Sequence, residues 1–462
     1  MNADDSVRHY IDAHTPLLVD RLAEWVRIPS VAGVPERRHH LTRSANWLAG
    51  ELRGVGFPTT EIWAGAEGPA VFAEWSGSPD AQTILIYGHH DVRAVKEENW
   101  DQTTPFEPVL RDGRLYGRGT SDAKGQIMAH VWGLRAHLSA TGRSAPAVNL
   151  KLIVEGEEEA GSPGLAGILQ DHRGSLDADA VVFSDTLLWH ADHPAICTSI
   201  RGMLGVHIEV YGPLRDVHSG AVSGPAPNPA LELSRLLGQL HDDKGRITFP
   251  GFYDDVEDIS RHRRAELAAL PFDPQDWLTR SHTRSILGED GYSVLERLWE
   301  RPSLEVIALA AGDPIGVQRA AIPSMASADL SIRTVAGQTI NDVAEQVGRW
   351  VEETIGAGYA YELTLDIDNA QEPYRTPDCL VLDNLSKAMA QGFQTPEVGR
   401  MGNAGGGPAE MLSSALGAPV VFFGTGLVED HWHSNDESVR IDILKAGAAT
   451  LAFLWDELGR QD

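Results

Sequence analysis

Apolar positions recur along the chain with two different periods, and the change of period marks its organisation. Tyr10, Ile11, Leu17, Leu18, Leu22, Trp25 and Val26 fall roughly at helical spacing, as do Leu41, Trp47, Leu48 and Leu52. Residues three or four apart share one helix face, so the pattern predicts two opening helices. Short apolar runs follow: Ile84-Leu85-Ile86-Tyr87, Leu150-Lys151-Leu152-Ile153-Val154, Ala180-Val181-Val182-Phe183 and Pro419-Val420-Val421-Phe422-Phe423. Their length and their β-branched and aromatic content predict strands. Between the first two runs, Ile127, Val131, Leu134 and Leu138 repeat at helical spacing up to Gly142. A glycine there is a helix-ending signal, and this helix is expected to pack on the sheet.

Near Arg201 the pattern changes to strand 203–211, helix 228–240, strand 327–334, helix 340–355 and strand 361–368, a smaller α/β unit of its own. The stretch 241–301 is charged, leans helical and reads as an elaboration of that unit. The run 419–423 then returns to the first set of strands, so the second unit is an insertion. The expected fold is α/β: a mixed-sheet domain over 1–200 and 373–462, interrupted by a two-layer α/β domain over 201–372. No internal repeat or low-complexity tract is visible.

A chain of 462 residues with 42% hydrophobic content is long enough for two cores. Its formal charge of −28 repels phosphate backbones and anionic lipid surfaces, which argues against nucleic acid or membrane partners and leaves a small-molecule substrate. Cys197 and Cys379 are the only cysteines, so neither a disulfide framework nor a Cys-x-x-Cys metal site is expected. The polar, acidic N-terminus and the lack of any long apolar run predict a soluble cytoplasmic protein.

Four of the strands end beside residues that carry chemistry, which is where ligands gather in an open α/β sheet. His89 and Asp91 stand in Tyr87-Gly88-His89-His90-Asp91-Val92, where an imidazole can bind a metal while a carboxylate two residues on accepts its other ring N–H. A pair of surface histidines in a turn would look the same. Asp122, in the glycine-rich Gly117–Gly125 stretch before a helix, reads locally as a helix cap; with four other ligands nearby its two oxygens can instead bridge two cations. Glu155, Glu157, Glu158 and Glu159 crowd like charges after one strand, a solvated acidic turn or a site whose charges need cations. One of them as ligand and its neighbour as general base would use that density. Asp185 follows the third strand, and His431 and His433 follow the last; position alone does not choose between these two histidines.

Oxygen and nitrogen donors without thiolate suit zinc, cobalt or manganese, and two such ions about 3.5–4 Å apart activate water as a nucleophile. Neither a Gly-x-Ser-x-Gly elbow nor a phosphate-binding loop competes.

With these motifs in hand, the chain from about Ile28 to Leu454 resembles the dinuclear zinc metallopeptidase family that includes carnosinase-type cytosolic dipeptidases, aminoacylase and glutamate carboxypeptidase. The resemblance is closest to the dipeptidase branch. It implies His89 and Asp185 on one metal, Glu159 and His433 on the other, Asp122 bridging both, Glu158 as general base and Asp91 orienting His89. A histidine, a small residue and then Asn/Asp-Glu is the family pattern that selects His433. In the inserted domain, which the resemblance makes a lid and dimerisation domain, Asp216-Val217-His218-Ser219-Gly220 matches the motif whose histidine stabilises the oxyanion. Arg333 in Ser331-Ile332-Arg333 matches the arginine that holds the substrate carboxylate. The implied activity is hydrolysis of dipeptides or short peptides by a homodimer with two zinc ions. The rivals are an N-acyl amino acid amidohydrolase or carboxypeptidase and, further off, a metal-binding scaffold without catalysis. The sequence departs from close dipeptidases at Ala123, at Arg93-Ala94 and at Gly405-Gly406-Gly407-Pro408, the last of which lacks a serine expected near the substrate carboxylate.

Overall fold

The structure, a computed structural model, describes residues 3–78, 80–312 and 319–460. The chain folds into two compact units. One comprises the chain before Ser199, Thr376–Met401 and the chain from Pro408 onward; the other comprises Ser199–Arg375 and Gly402–Gly407. The loop Gly402–Gly407 thus belongs to the second unit although its sequence neighbours belong to the first.

The first unit is organised on a six-stranded mixed sheet in the order Thr59–Trp63, Ala70–Trp75, Asn149–Glu155, Thr83–His89, Ala180–Phe183 and Val420–Phe422. The last four strands run parallel, paired as Ile84 with Leu150, Ile84 with Ala180 and Val420 with Val181. Parallel strands buried on both faces read as unbroken apolar runs, which is why they stand out in the sequence. Their carboxyl ends lie along one edge, and that edge receives the residues after His89, Glu155, Phe183 and Phe422.

Helices Ala3–Val26, Lys124–Thr141, Leu380–Gly392 and Ile441–Leu458 pack with one another, and Arg38–Val55 adds to the same core. Lys124–Thr141 and Ile441–Leu458 approach so closely that a Cβ on Gly133 would lie 2.8 Å from Ala448 O, so glycine is required there. The helix ends at Gly142 in the left-handed conformation, φ 67°, with its N–H on Leu138 O. Lys124, fully buried, donates from Nζ to Trp25 O at 3.1 Å and Ile28 O at 2.9 Å, closing off the carbonyls at the end of the opening helix.

The second unit is a two-layer α/β structure. Its antiparallel sheet runs Ser303–Ala311, Met325–Thr334, Gly202–Tyr211 and Ala360–Gln371. Leu204, Val206, Ile208 and Val210 alternate inward against helices Pro229–Leu237 and Ile340–Thr354, while the intervening residues remain part-exposed. Asn228 caps the first of these helices and Thr339 the second, each accepting a backbone N–H. The elaboration 241–301 is tied together by ion pairs, among them Arg301 with Glu289 at 2.7 Å. Among the described residues no helix is long and apolar enough to cross a membrane.

Candidate metal centre

At the strand-end edge of the first unit, two groups of potential ligands form: His89, Asp122 and Asp185, and Asp122, Glu159 and His433. Within each group one donor atom per residue lies within 4.8 Å of the others. Asp122 belongs to both. Its Oδ1 is 3.1 Å from His89 Nε2 and its Oδ2 is 3.0 Å from His433 Nε2, one oxygen facing each imidazole. Asp185 Oδ1 lies 3.6 Å from His89 Nε2, and Glu159 Oε2 lies 3.2 Å from His433 Nε2. His431 enters neither group.

Local structure explains how the five residues meet. His89 ends its strand and Asp185 follows Phe183 in the neighbouring parallel strand. Glu159 lies in a single turn of 3-10 helix after Asn149–Glu155. The helix that follows Asp122 has Ala123 as its N-terminal cap with no side-chain hydrogen bond, so Asp122 does not cap it.

The four crowded glutamates have separate partners. Glu157, buried, accepts backbone N–H groups from Gly68 at 3.0 Å and Gly164 at 2.7 Å, with Glu67 and Ala66 beside them. Glu155 accepts from the Tyr87 hydroxyl and from Ser162 Oγ, and burial pushes it up to about 8. Glu159 enters the second ligand group and Glu158 precedes it in the same turn, which Asp91 holds: its Oδ1 accepts Glu158 N at 3.3 Å and its Oδ2 accepts Glu159 N at 2.9 Å.

His89 Nδ1 lies 3.1 Å from the backbone carbonyl of Asp91 and 3.4 Å from its carboxylate. The same carboxylate accepts the two glutamate amides, so Asp91 links His89 to Glu158 and Glu159.

Sequence reading assigned no role to Glu437. It is fully buried, and it accepts Gly119 N at 3.0 Å, Ser121 N at 2.9 Å and Asp122 N at 3.0 Å, with Arg118 Nη1 at 2.8 Å. Because it follows His433 by four residues, a single carboxylate ties the His433 segment to the backbone of Asp122. Only its place inside the His433–Glu437 motif hinted at this. Arg93, half-exposed, donates from Nη1 to Glu159 O at 2.6 Å and lies 3.5 Å from Glu159 Oε2.

The donor set fits divalent cations. Burial, together with neighbouring carboxylates, raises the affinity of Asp185, Glu159 and Glu158 for protons. Hydrogen bonds to Asp122 and Glu159 push His433 up to about 10, and at His89 the carboxylates outweigh burial in the same direction. The cluster therefore holds more negative charge than its own imidazoles balance. Asp185 Oδ1 and Glu159 Oε1 are buried without a hydrogen-bond partner among the described residues, as expected of lone pairs reserved for metal. Carboxylate and imidazole donors without thiolate match zinc, manganese or cobalt chemistry.

His218 and Arg333 belong to the second unit. His218 closes the two-residue strand Val217–His218, paired with Ala321–Ile322, and is exposed. Arg333 lies near the end of Met325–Thr334.

A mixed sheet with an inserted unit, and two ligand groups sharing one carboxylate at the ends of parallel strands, define an α/β protein built around a candidate dinuclear metal centre. A family model described as peptidase family M20/M25/M40 matches residues 85–457, and the chain belongs to that family. It is 29% identical over 454 residues to the human Beta-Ala-His dipeptidase, covering 94% of this chain and 89% of that protein. It is 29% identical over 344 residues to a Cys-Gly metallodipeptidase of Candida albicans, covering 70% of each. The crystal structure of human carnosine dipeptidase 1 superposes with a TM-score of 0.82 at 27% identity, covering 100% of both chains.

Proposed function

We propose that this protein is a metal-dependent dipeptidase, hydrolysing the peptide bond of dipeptides or short peptides that end in a free carboxylate. The observation that carries this reading is the division of Asp122, one oxygen toward each of two imidazole-containing ligand groups. His89 and Asp185 would hold one divalent ion and Glu159 and His433 the other, with Asp122 shared between them; the donor set suits zinc. When bound, such a pair would supply Lewis-acid polarisation of the scissile carbonyl and acidify a water near neutral pH.

The chain's own residues supply the rest. Glu158 belongs to neither ligand group but feels the charges of Asp185, His89 and Glu159, and it takes the proton from the attacking water and returns it to the leaving amine. Arg333 offers a two-pronged donor to the substrate carboxylate. His218 offers an imidazole N–H to the developing oxyanion, a contact worth about 3 kcal/mol when pre-aimed. Asp91 keeps the Glu158–Glu159 turn registered on His89, and Glu437 keeps Asp122 registered on His433.

The names of the relatives direct the test. With zinc or manganese added, β-Ala-His and Cys-Gly are assayed beside their N-acetylated forms. A site that recognises the free amine rejects the acylated analogue by ~10-fold or more in kcat/KM. Faster hydrolysis of the N-acetyl forms would make the protein an amidohydrolase of acyl amino acids instead. Lack of turnover across a broad peptide and acyl-amino-acid panel, with metals bound, would leave the scaffold reading.

A homodimer through the inserted unit is part of the same proposal, as is residence in the cytoplasm. The strand Ser303–Ala311 pairs with Met325–Thr334 on one side and with no strand on the other among the described residues. It exposes Val306, Ile307 and Leu309 by 43%, 66% and 58%. An open apolar edge of this kind invites pairing with another strand. Sedimentation should give twice the 50.1 kDa chain mass, and Ile307→Lys should shift it toward monomer. A fully active wild-type monomer would remove the dimer from the mechanism.

A further inference from the structure

Arg201 precedes the strand Gly202–Tyr211 of the inserted unit and is only 8% exposed. Its Nε donates to Ala404 O at 3.2 Å and its Nη1 to Ser303 Oγ at 3.1 Å, and its backbone N–H donates to Gly405 O at 3.2 Å. Nη2 remains the nitrogen not spent on the protein among the described residues. Ser303 stands directly across the sheet from Arg333, which on its other side faces Met203. The hydroxyl that Arg201 grips is therefore on the residue opposite Arg333, and the two guanidinium groups share one corner of the sheet.

That corner is poorly compensated. Burial first, and then the charge of Arg333, pull Arg201 down to about 10; burial also lowers Arg333. The guanidinium of Arg333 makes no hydrogen bond or ion pair among the described residues. The carboxylate that offsets Arg201 is Glu305, itself exposed. Two partly desolvated cations with one solvated counter-charge are unfavourable unless an anion joins them. The loop Gly402–Gly407 lies against the same corner, and a Cβ on Gly406 would lie 2.0 Å from Gln371 Oε1, so the Gln371 side chain packs on that side.

We propose that Arg201 and Arg333 together anchor the C-terminal residue of the substrate and select dipeptides in which that residue carries a second carboxylate, Xaa-Glu or Xaa-Asp. Arg333 takes one carboxylate through its fork and Arg201 takes the other through Nη2 and through its charge. This inference rests on the dipeptidase reading above and names the substrate class within it.

Ala-Glu and Ala-Gln are nearly equal in size and differ by one charge, so they make the test. For the metal-loaded wild-type protein, kcat/KM should favour Ala-Glu by ~10-fold or more, mostly through KM, the range expected for a charge-assisted hydrogen bond. Arg201→Met should bring that ratio close to one, and Arg201→Lys should keep a clear preference. Calorimetry on the wild-type protein, comparing free glutamate with free glutamine, should show glutamate binding tighter by a similar factor, and needs no variant to fold. A wild-type ratio near one in both measurements, or an undiminished ratio in a folded Arg201→Met protein, overturns the proposal. If neither peptide nor any other dipeptide is hydrolysed while glutamate still binds tighter than glutamine, the anchor stands and the dipeptidase reading falls.

Discussion

Glu158→Gln is expected to lower turnover by at least ~100-fold while both metal ions stay bound, because general acid–base catalysis contributes 10²–10⁴-fold and the amide removes only the proton acceptor. The geometry isolates this effect. Glu158 is in neither ligand group, so its loss leaves the donors of both ions in place. Its backbone N–H is fixed on Asp91 Oδ1 and glutamine is nearly isosteric, so the turn should hold its position. Burial, and then the charge of Asp185, raise the proton affinity of this carboxyl. The check pairs steady-state kinetics with elemental analysis of the purified variant. A kcat near wild type with two metals present would take Glu158 out of the role, whereas a fall in metal content would make it a ligand.

The sequence disclosed the centre to the extent that the centre is built from strand ends. Parallel strands buried on both faces leave continuous apolar runs, and His89, the 155–159 cluster and Asp185 each stand within a few residues of such a run. Asp122 was harder: before a helix, the favourable local role for an aspartate is capping, and only the company of four other ligands argued otherwise. The structure gives the cap position to Ala123 and turns Asp122 to the imidazoles.

What stayed hidden depends on contacts distant along the chain. Glu437 reaches Asp122 N across 315 positions and Glu157 reaches Gly68 N across 89, and no local pattern marks a carboxylate that will be buried against another segment's amides. The helix Lys124–Thr141 shows the same limit for packing. Its apolar stripe predicts one buried face, yet Gln126, His130 and His137 are buried too, because the helices Ala3–Val26 and Ile441–Leu458 also pack against it.

Asp122→Asn should cost both metal ions at once, the largest loss available to any single ligand. Asparagine keeps the shape but retains one acceptor oxygen; its amide N–H groups would face whichever imidazole that oxygen does not serve. Asp185→Asn and Glu159→Gln each disturb a single group, so their metal content should fall from two toward one per chain, while that of Asp122→Asn should fall well below one. Activity in Asp122→Asn should drop further than the roughly 10–100-fold typical of losing a partner behind a metal ligand. Bound ions also stabilise the fold by mass action, about 2.7 kcal/mol at a free concentration 100 times Kd. A chelator should therefore lower the unfolding temperature of the wild-type protein, leave that of Asp122→Asn nearly unchanged, and be reversed in the wild type by added zinc or manganese. Stability decides between two explanations of a dead variant: a misfolded protein would melt below chelated wild type, whereas loss of the bridge alone would make the two coincide. Retention of two ions by a folded Asp122→Asn protein would show that the carboxylate does not bridge, and the division of the ligands into two groups meeting at Asp122 would have to be abandoned.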